Sequence, residues 1–383
     1  MTRSSKTWQV VALTAVAGLA LAACGTTDTG DKASSGGACE GKIGIMGALS
    51  GANASIVLPS VDGAKLALKQ WSAENEDCDI ELVDFDTEGD PAKATPVATK
   101  MATDDTFLGV MGGAFSGETR ATKAIFGDAG LTMISQSATA TDLTQEDQSP
   151  VFHRVVGYDD VQGAAIAKYL SDVVGAKKVF VIDNSDAYGE PLAAKVSETL
   201  GDLVVDSDKT QVAQTDFSPT ISKIQQAKPD AIMYGGYIAE AAPLLKQLRD
   251  AGIDTPFIGG DGLYGADFGK AAGSAGEGAI VTCPCVPIDE GTFKSDFEAE
   301  YGEAPGAYAA EGFDAMTIFL DAFSDGARTR EEIEDFVDNY DADGLTKHIA
   351  FDENGDVAKE NVVIWAYKVK DGVLVPDQEI SIS

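Results

Sequence analysis

An α/β protein with two doubly wound, parallel-sheet lobes is the fold this sequence predicts, and three features predict it. From Gly41 onward, short apolar runs alternate with segments of helical period. The strand-like runs end repeatedly in Gly, Ser, Thr or Asp just before a helix opens, as βα units do. About 345 residues follow the N-terminal region, more than one core usually encloses, so two lobes with a cleft between them are expected.

The N-terminus is set aside first. Arg3 and Lys6 precede an apolar stretch, Val10 to Leu21, that is short for a membrane span, and small residues lead to Cys24. Leu21-Ala-Ala-Cys24 resembles the bacterial lipobox, which implies a signal peptide over residues 1–23 and lipidation of Cys24. The alternative is an ordinary signal peptide with a chance cysteine. Residues 24–38 are rich in Gly, Ser, Thr and Asp and read as a flexible tether. The expected location is therefore the outer face of a cell membrane, held by lipid.

The composition is that of a globular protein, with 44% hydrophobic residues. The net charge is −34, and loss of Arg3 and Lys6 with the signal takes it to −36. Such an excess argues against nucleic acid as a partner and against anions steered by a basic patch. Any anion site must be local. Apart from Cys24, four cysteines remain, an even number for an oxidising compartment. Cys39 and Cys78 each lie just before a strand-like run, and neighbouring parallel strands would bring them together as a disulfide. Cys283-Pro-Cys285 lacks the C-x-x-C redox spacing and is left as a strained pair, two quiet thiols or a redox site.

In chain order, the strand Lys42–Met46 leads through a Gly/Ser/Asn loop to a helix with Ala64, Ala67, Leu68 and Trp71 on one face. The strand Ile80–Phe85 precedes Asp90-Pro91, a helix start, and a helix through Met101. The strand Phe107–Met111 runs into Gly112-Gly113 and a helix opening at Ser116. Leu131–Ser135 and Val151–Val156 are further extended runs. A second series begins near Asp160, with strands Lys178–Ile182, Leu203–Val205, Ala231–Tyr234, Pro256–Ile258 and Ala279–Thr282. Helices are expected after Gly189, over Phe217–Ala227, and around Leu244, Leu245 and Leu248 as far as Gly252. The tail reads as helices Thr292–Tyr301, Ala309–Phe323 and Arg330–Tyr340. Strands Ile349–Phe351 and Val362–Val369 then flank a turn at Asp352–Gly355.

Catalysis finds little support. Gly260-Asp-Gly-Leu-Tyr-Gly265 matches G-x-G-x-x-G, but Asp261 inside the turn would repel a pyrophosphate. Asp352, Asn354 and Asp356 alternate as in a calcium loop, but the glycine falls too early and Val363 holds the bidentate place, so a solvated turn is expected. His153 and His348 form no familiar metal spacing with the cysteines. No enzyme, metal or cofactor is expected. What remains are binding groups at strand ends. A helix N-terminus at Ser116 offers unpaired amides to an anion. Ser116, Ser137 and Thr139 add hydroxyls, with helix capping as their other reading. Tyr188 and Tyr237 are core edge or ligand lid. Asp261, among glycines, is an N-cap or a ligand carboxylate. Donors on one lobe and a carboxylate on the other suit a zwitterion.

Ile43-Gly-Ile-Met-Gly-Ala-Leu-Ser-Gly51, Gly63-Ala-Lys-Leu-Ala-Leu68, Met133-Ile-Ser-Gln-Ser-Ala-Thr139, Ala187-Tyr-Gly189, Asp216-Phe-Ser218, Tyr234-Gly-Gly-Tyr237 and Gly259-Gly-Asp-Gly262 together carry a resemblance over almost all of residues 39–383. The chain resembles the branched-chain amino-acid (Leu/Ile/Val-type) substrate-binding lipoproteins of ABC transporters, with the type I periplasmic binding protein fold. The resemblance implies that Ser116, Thr139 and amides near Ala138 hold an α-carboxylate. It implies that Asp261, where the family often has glutamate, holds the α-ammonium, and that Tyr188 and Tyr237 close from the second lobe. It further implies a hinge of three crossings, near Val156–Tyr158, Pro284–Pro287 and after about Ala350. The first lobe is then 39–157 with 286–350, and the second 158–285 with 351–383. Ile56 stands where leucine-type members carry an aromatic, which puts leucine specificity in doubt. The implied partners are a small ligand, most simply an amino acid, and a membrane permease, with the receptor a monomer. A sensory lipoprotein, or a binder of short amides, urea or aromatic acids, is the alternative.

Overall fold

The first sheet is built by a run of βα units. In the computed structural model, which describes residues 38–146, 148–288 and 291–381, the chain forms β1 (Glu40–Gly47), α1 (Ala54–Glu74), β2 (Asp79–Asp86), α2 (Pro91–Ala102), β3 (Phe107–Met111), α3 (Ser116–Asp128), β4 (Met133–Ser135), α4 (Asp142–Gln145) and β5 (Phe152–Arg154). The signal peptide, Cys24 and nearly all of the tether lie outside the described residues. The strands align all-parallel in the order β2-β1-β3-β4-β5. Every residue of β3, Phe-Leu-Gly-Val-Met, is buried, as expected for a central strand covered on both faces. Local signals set the helix starts: Asp90 accepts from the Ala92 amide at 2.8 Å and Pro91 occupies the first turn of α2.

The second sheet collects α5 (Asp159–Lys168), β6 (Val179–Asp183), α6 (Gly189–Leu200), β7 (Val204–Lys209), α7 (Ser218–Ala227), β8 (Ala231–Gly235), α8 (Ile238–Asp250), β9 (Phe257–Gly259), α9 (Ala266–Ala272) and β10 (Ile280–Cys283). The chain then returns to the first sheet with α10 (Thr292–Tyr301), α11 (Ala309–Ser324) and α12 (Arg330–Asp338). Here α11 packs along α1, and α11 and α12 touch β3. A two-stranded ribbon follows, β11 (Asp341–Asp343) with β12 (His348–Ala350). Finally β13 (Trp365–Lys370) and β14 (Val373–Glu379) complete the second sheet, in the order β14-β13-β10-β9-β8-β6-β7.

The second sheet is therefore mixed. β6 to β10 are parallel, whereas β13 runs antiparallel to β10 and β14 antiparallel to β13. β14 has no counterpart in the sequence reading, because Pro376 and its acidic neighbours hide the alternation of a largely exposed edge strand. Its one clear signal is Asp371-Gly372, both at positive φ, the two-residue turn of a hairpin. Helix α9 and strand β11 were likewise not anticipated, being short and weakly patterned.

The chain passes between the sheets three times: between β5 and α5, between β10 and α10, and on the way from β12 to β13. On the last of these, residues 351–357 stay beside the first sheet. The Arg154 amide donates to Gly355 O at 3.0 Å, and Arg154 and Asp356 form a parallel bridge. Asp356 is not part of a solvated turn, as the sequence suggested. It is 1% exposed and accepts from Arg154, Thr144 and Gln145. Among the described residues no helix is long and apolar enough to cross a membrane.

Cys39 and Cys78 are joined, their Cα atoms 4.6 Å apart at the starts of the paired strands β1 and β2. Cys283 and Cys285 are also joined, which settles the open question of their state. The first bridge spans a sequence separation of 39 residues. By loop-closure entropy, replacing both of its cysteines by serine should lower unfolding free energy by about 4 kcal/mol. Urea unfolding measures this; an unchanged midpoint in the double variant would count against a structural role.

Candidate functional site

Where the C-terminal ends of the two sheets face each other lies a small cavity, with about 10 Å³ open to the centre of a water-sized sphere. Its walls include Ile56, Phe115, Ser116, Ser137, Thr139, Tyr188, Tyr237, Asp261 and Tyr308. All the expected site residues except Ala138 thus meet in one place. Tyr308, Phe115, Ala114 and Gly262 complete the lining.

The donor wall comes from the β3–α3 and β4–α4 connections. At Gly112 the backbone has φ of +136°, and an added Cβ would lie 2.3 Å from Met46 O, so no side chain fits. Helix α3 then begins with Ser116, and its first-turn amides lack helical partners. Glu118 fixes this turn from below: it accepts from the Phe115 amide at 3.0 Å and from Thr87 Oγ1 at 2.5 Å. Ser116 Oγ accepts from the Ala140 amide at 3.2 Å, so its own proton remains to be donated. Thr139 Oγ1 is buried without a partner. Ser137 Oγ is already spent on Ala114 O at 2.8 Å. The Ala138 amide is spent too, donating to Ser135 Oγ at 2.9 Å, so it is not the free donor that the family resemblance implied.

A buried arginine holds this loop. Arg154 is 0% exposed, and its Nη1 donates to Ala138 O at 3.2 Å and Ala140 O at 2.8 Å, with Nη2 on Thr144. Asp356 neutralises it. Sequence reasoning passed over Arg154, although a lone arginine within the apolar run Val151–Val156 is a signal of a buried ion pair.

The opposite wall centres on Asp261. It opens a short 3₁₀ turn, Asp261–Leu263, and caps no helix. Its Oδ1 accepts from Tyr188 Oη at 2.8 Å and Gln162 Nε2 at 2.9 Å, and its Oδ2 from Tyr308 Oη at 2.6 Å. Burial raises its pKa, and the three donors offset part of that. The same burial pushes the Tyr188, Tyr237 and Tyr308 phenols well above their usual range, so they stay neutral donors. Tyr188 is placed by Asp186, which accepts from the Tyr188 and Gly189 amides at 2.8 Å. The glycine before Asp261 answers a close approach, since a Cβ at Gly260 would meet Tyr188 Oη at 2.3 Å. The G-x-G-x-x-G match is thus a consequence of packing.

The two walls are in contact. Phe115 meets Tyr237 edge-on at 5.1 Å between centroids, and Tyr237 lies 5.2 Å from Tyr188. Arg120, paired with Asp142, also donates to Ala187 O at 3.2 Å. Ile56 lies in the first turn of α1 and packs near Gly265. Tyr308 was missed because it precedes α11, some 50 residues from any other site element in the sequence. Asp159, at the start of α5, was also missed. It is 1% exposed, and neither carboxylate oxygen has a hydrogen-bond partner.

Elsewhere, His153, Glu334 and Asp338 offer ligand atoms within 4.8 Å of one another, outside the cavity lining. His153 Nε2 is hydrogen-bonded to Asp338 at 3.0 Å, an arrangement that accounts for the pair without a metal.

Residues 40–372 match the family model described as periplasmic binding protein. A leucine-specific-binding protein of Salmonella typhimurium is 34% identical over 248 residues, 63% of this chain and 67% of the relative. A leucine-, isoleucine-, valine-, threonine- and alanine-binding protein of Pseudomonas aeruginosa is 27% identical over 335 residues, 85% of this chain and 89% of the relative. Among solved structures, the branched-chain amino acid transporter substrate binding protein LivJ of Streptococcus pneumoniae, in complex with isoleucine, superposes with a TM-score of 0.80 at 28% identity, covering 88% of this chain and all of that one. The leucine binding protein LivK of Thermotoga maritima gives 0.81 at 25% identity, covering 89% and 99%.

Glu118 makes the site region sensitive to pH. Burial, offset in part by Thr87 and the Phe115 amide, raises its pKa from 4.5 to about 7. A carboxyl with a raised folded-state pKa keeps its proton longer when folded, so its contribution is intact below the unfolded value and is lost as pH rises through the folded one. Between pH 4.5 and about 7, Glu118 should cost the fold roughly 3 kcal/mol. Urea unfolding at several pH values should show this decline, and Glu118→Gln should flatten it; an equally steep decline in the variant would refute the assignment.

Proposed function

The chain belongs to the periplasmic binding protein family, and within it we propose an extracytoplasmic receptor that captures a free amino acid between its lobes and delivers it to an ABC importer. The observation that carries this reading is the pairing of walls across one cavity. The α3 N-terminus with the Ser116 and Thr139 hydroxyls faces a buried carboxylate, Asp261. Neutral donors with helix-dipole charge suit an α-carboxylate, and Asp261 suits an α-ammonium. The matched relatives, which carry branched-chain amino acids in their names, support the same ligand class.

Ile56, Phe115, Tyr237 and Tyr308 are the side-chain walls of the site. They are apolar apart from two phenols, which suits an aliphatic side chain. Lobe one comprises residues 39–157 and 286 to about 357, and lobe two the remainder. This moves the last boundary later than the sequence suggested, in keeping with the Arg154–Asp356 pairing. The receptor works by closure. Ligand is taken up on the first wall of an open form, and the second lobe then swings in with Asp261, Tyr188 and Tyr237. A membrane permease recognises the closed form. Lipid on Cys24 holds the protein, as a monomer, at the outer face of the membrane.

A thermal-shift screen of the twenty amino acids, with short amides and aromatic acids alongside, tests the ligand class, because a ligand that binds only the folded state raises the melting temperature. The expected hits are aliphatic amino acids; stabilisation only by amides or aromatic acids would overturn the zwitterion reading. For the amino acid that binds, Asp261→Ala should weaken affinity by at least about 2 kcal/mol by leaving a buried ammonium unpaired. Ser116→Ala should cost less, since the amides of α3 remain. Calorimetry measures both, and unchanged binding by the Asp261 variant would remove Asp261 from the ammonium site.

A further inference from the structure

On the second crossing, adjacent residues are held by opposite sheets. The segment reads Cys283-Pro-Cys-Val-Pro287. Cys283 ends β10, and its bridge to Cys285 ties the start of the crossing to that strand. From β13, which pairs with β10, Tyr367 Oη donates to Cys285 O at 3.2 Å. Cys285 is therefore anchored to the second sheet. The next amide is anchored to lobe one: Val286 N donates to Glu311 Oε1 at 3.1 Å, and Glu311 is buried in the first turn of α11. Pro284 fixes its own φ, and Pro287 keeps Val286 in extended backbone. The main freedom left between the two anchors is rotation on either side of the planar Cys285–Val286 peptide.

Helix α11 also takes hold of the first crossing. Asp314, one turn after Glu311, accepts from the Leu345 amide at 2.6 Å, from the Thr346 amide at 2.9 Å and from Thr346 Oγ1 at 2.5 Å. Lys347 Nζ then donates to Thr346 Oγ1 and to Val155 O, both at 2.9 Å. Val155 directly follows β5, and Gly157 beyond it lies against Val362 of the third crossing, where a Cβ would meet Val362 Cγ1 at 2.3 Å. The helix itself is fixed against α1. Added Cβ atoms at Gly63 and Gly312 would lie 1.9 Å from Ala309 O and 2.0 Å from Ser60 O, so the two backbones meet directly. Just before α11, Tyr308 sends its phenol to Asp261 at 2.6 Å. We propose that Glu311 and Asp314 form the lobe-one clamp of the hinge and the Cys283–Cys285 bridge its lobe-two clamp, so that closure turns about the Cys285–Val286 link. This rests on the closure reading above. Glu311 lies outside the cavity lining and is a positioning residue: by fixing the pivot one turn from Tyr308, it sets where the second wall arrives.

Scattering and calorimetry test this together. The double variant Cys283→Ser with Cys285→Ser removes the lobe-two clamp, and because the bridge closes only a short loop, unfolding should change little. Small-angle scattering of the ligand-free double variant should give a larger radius of gyration than wild type. Calorimetry with L-leucine and L-alanine should show affinity weakened at least about threefold, as the fraction of molecules able to close falls. Glu311→Ala should have the same two effects. Glu311→Gln keeps an acceptor for the Val286 amide and should scatter and bind as wild type does. Unchanged scattering and affinity in the double variant would overturn the proposal, even with a lowered melting temperature, which is all that a merely structural bridge predicts. A Glu311→Gln variant as open and as weak as Glu311→Ala would also overturn it, since the Val286 hydrogen bond would then not be what holds the hinge. Absence of amino-acid binding by the wild-type chain would instead sink the receptor reading, and the ligand-free scattering would then decide the clamp by itself.

Discussion

The carboxylate of Asp261 is the constraint around which the site is assembled. A buried acid without a cation is tolerated only if donors converge on it. Here they come from three separate parts of the chain: Tyr188 after β6, Gln162 in α5 and Tyr308 just before α11. Tyr308 belongs to a segment that follows the second crossing, and its phenol reaches the Asp261 turn from there. One hydrogen-bonded centre therefore links elements of both sheets, and the closed arrangement of the cleft follows from satisfying it. The contacts of Phe115 with Tyr237 and of Arg120 with Ala187 O add further links between the two walls.

The donor wall is organised by an analogous but separate device. Glu118 and Arg154 touch none of the cavity, yet each orders a segment that does. Glu118 reaches back to the Phe115 amide and Thr87, fixing how α3 starts. Arg154 collects the carbonyls of Ala138 and Ala140 and is balanced by Asp356 on the returning chain. Removing either partner of that buried pair would strand a charge, so the loop carrying Thr139 depends on residues 351–357. The segment that leads to the last crossing thus also supports the loop that carries Thr139.

Much of the fold was legible because it is encoded locally. The strands Phe107–Met111 and Ala231–Tyr234, the start of α2 at Asp90-Pro91 and the helix Thr292–Tyr301 carry their own periodicity and caps. The strand pair bringing Cys39 to Cys78 followed from which strands were neighbours. Elements with little burial or length were not legible: β14 is an exposed edge, and α9 has only 7 residues of pattern. At the site, the residues on strand-end loops were found because glycine and hydroxyl residues clustered there. The direction of each polar group was not. Ser137 and the Ala138 amide look like donors in sequence, but both are consumed by local bonds to Ala114 O and Ser135 Oγ.

By itself the sequence determined two βα series, an anion-favouring helix start at Ser116 and a lone acid at Asp261, because periodicity, turn residues and helix polarity are properties of neighbouring residues. Only the tertiary structure decided that Tyr308 and Gln162 complete the Asp261 site, that Asp356 neutralises Arg154, and that Asp159 is buried. Those facts depend on which distant side chains share a low-dielectric interior, where an unmet charge or hydrogen bond is costly, and no local pattern records that.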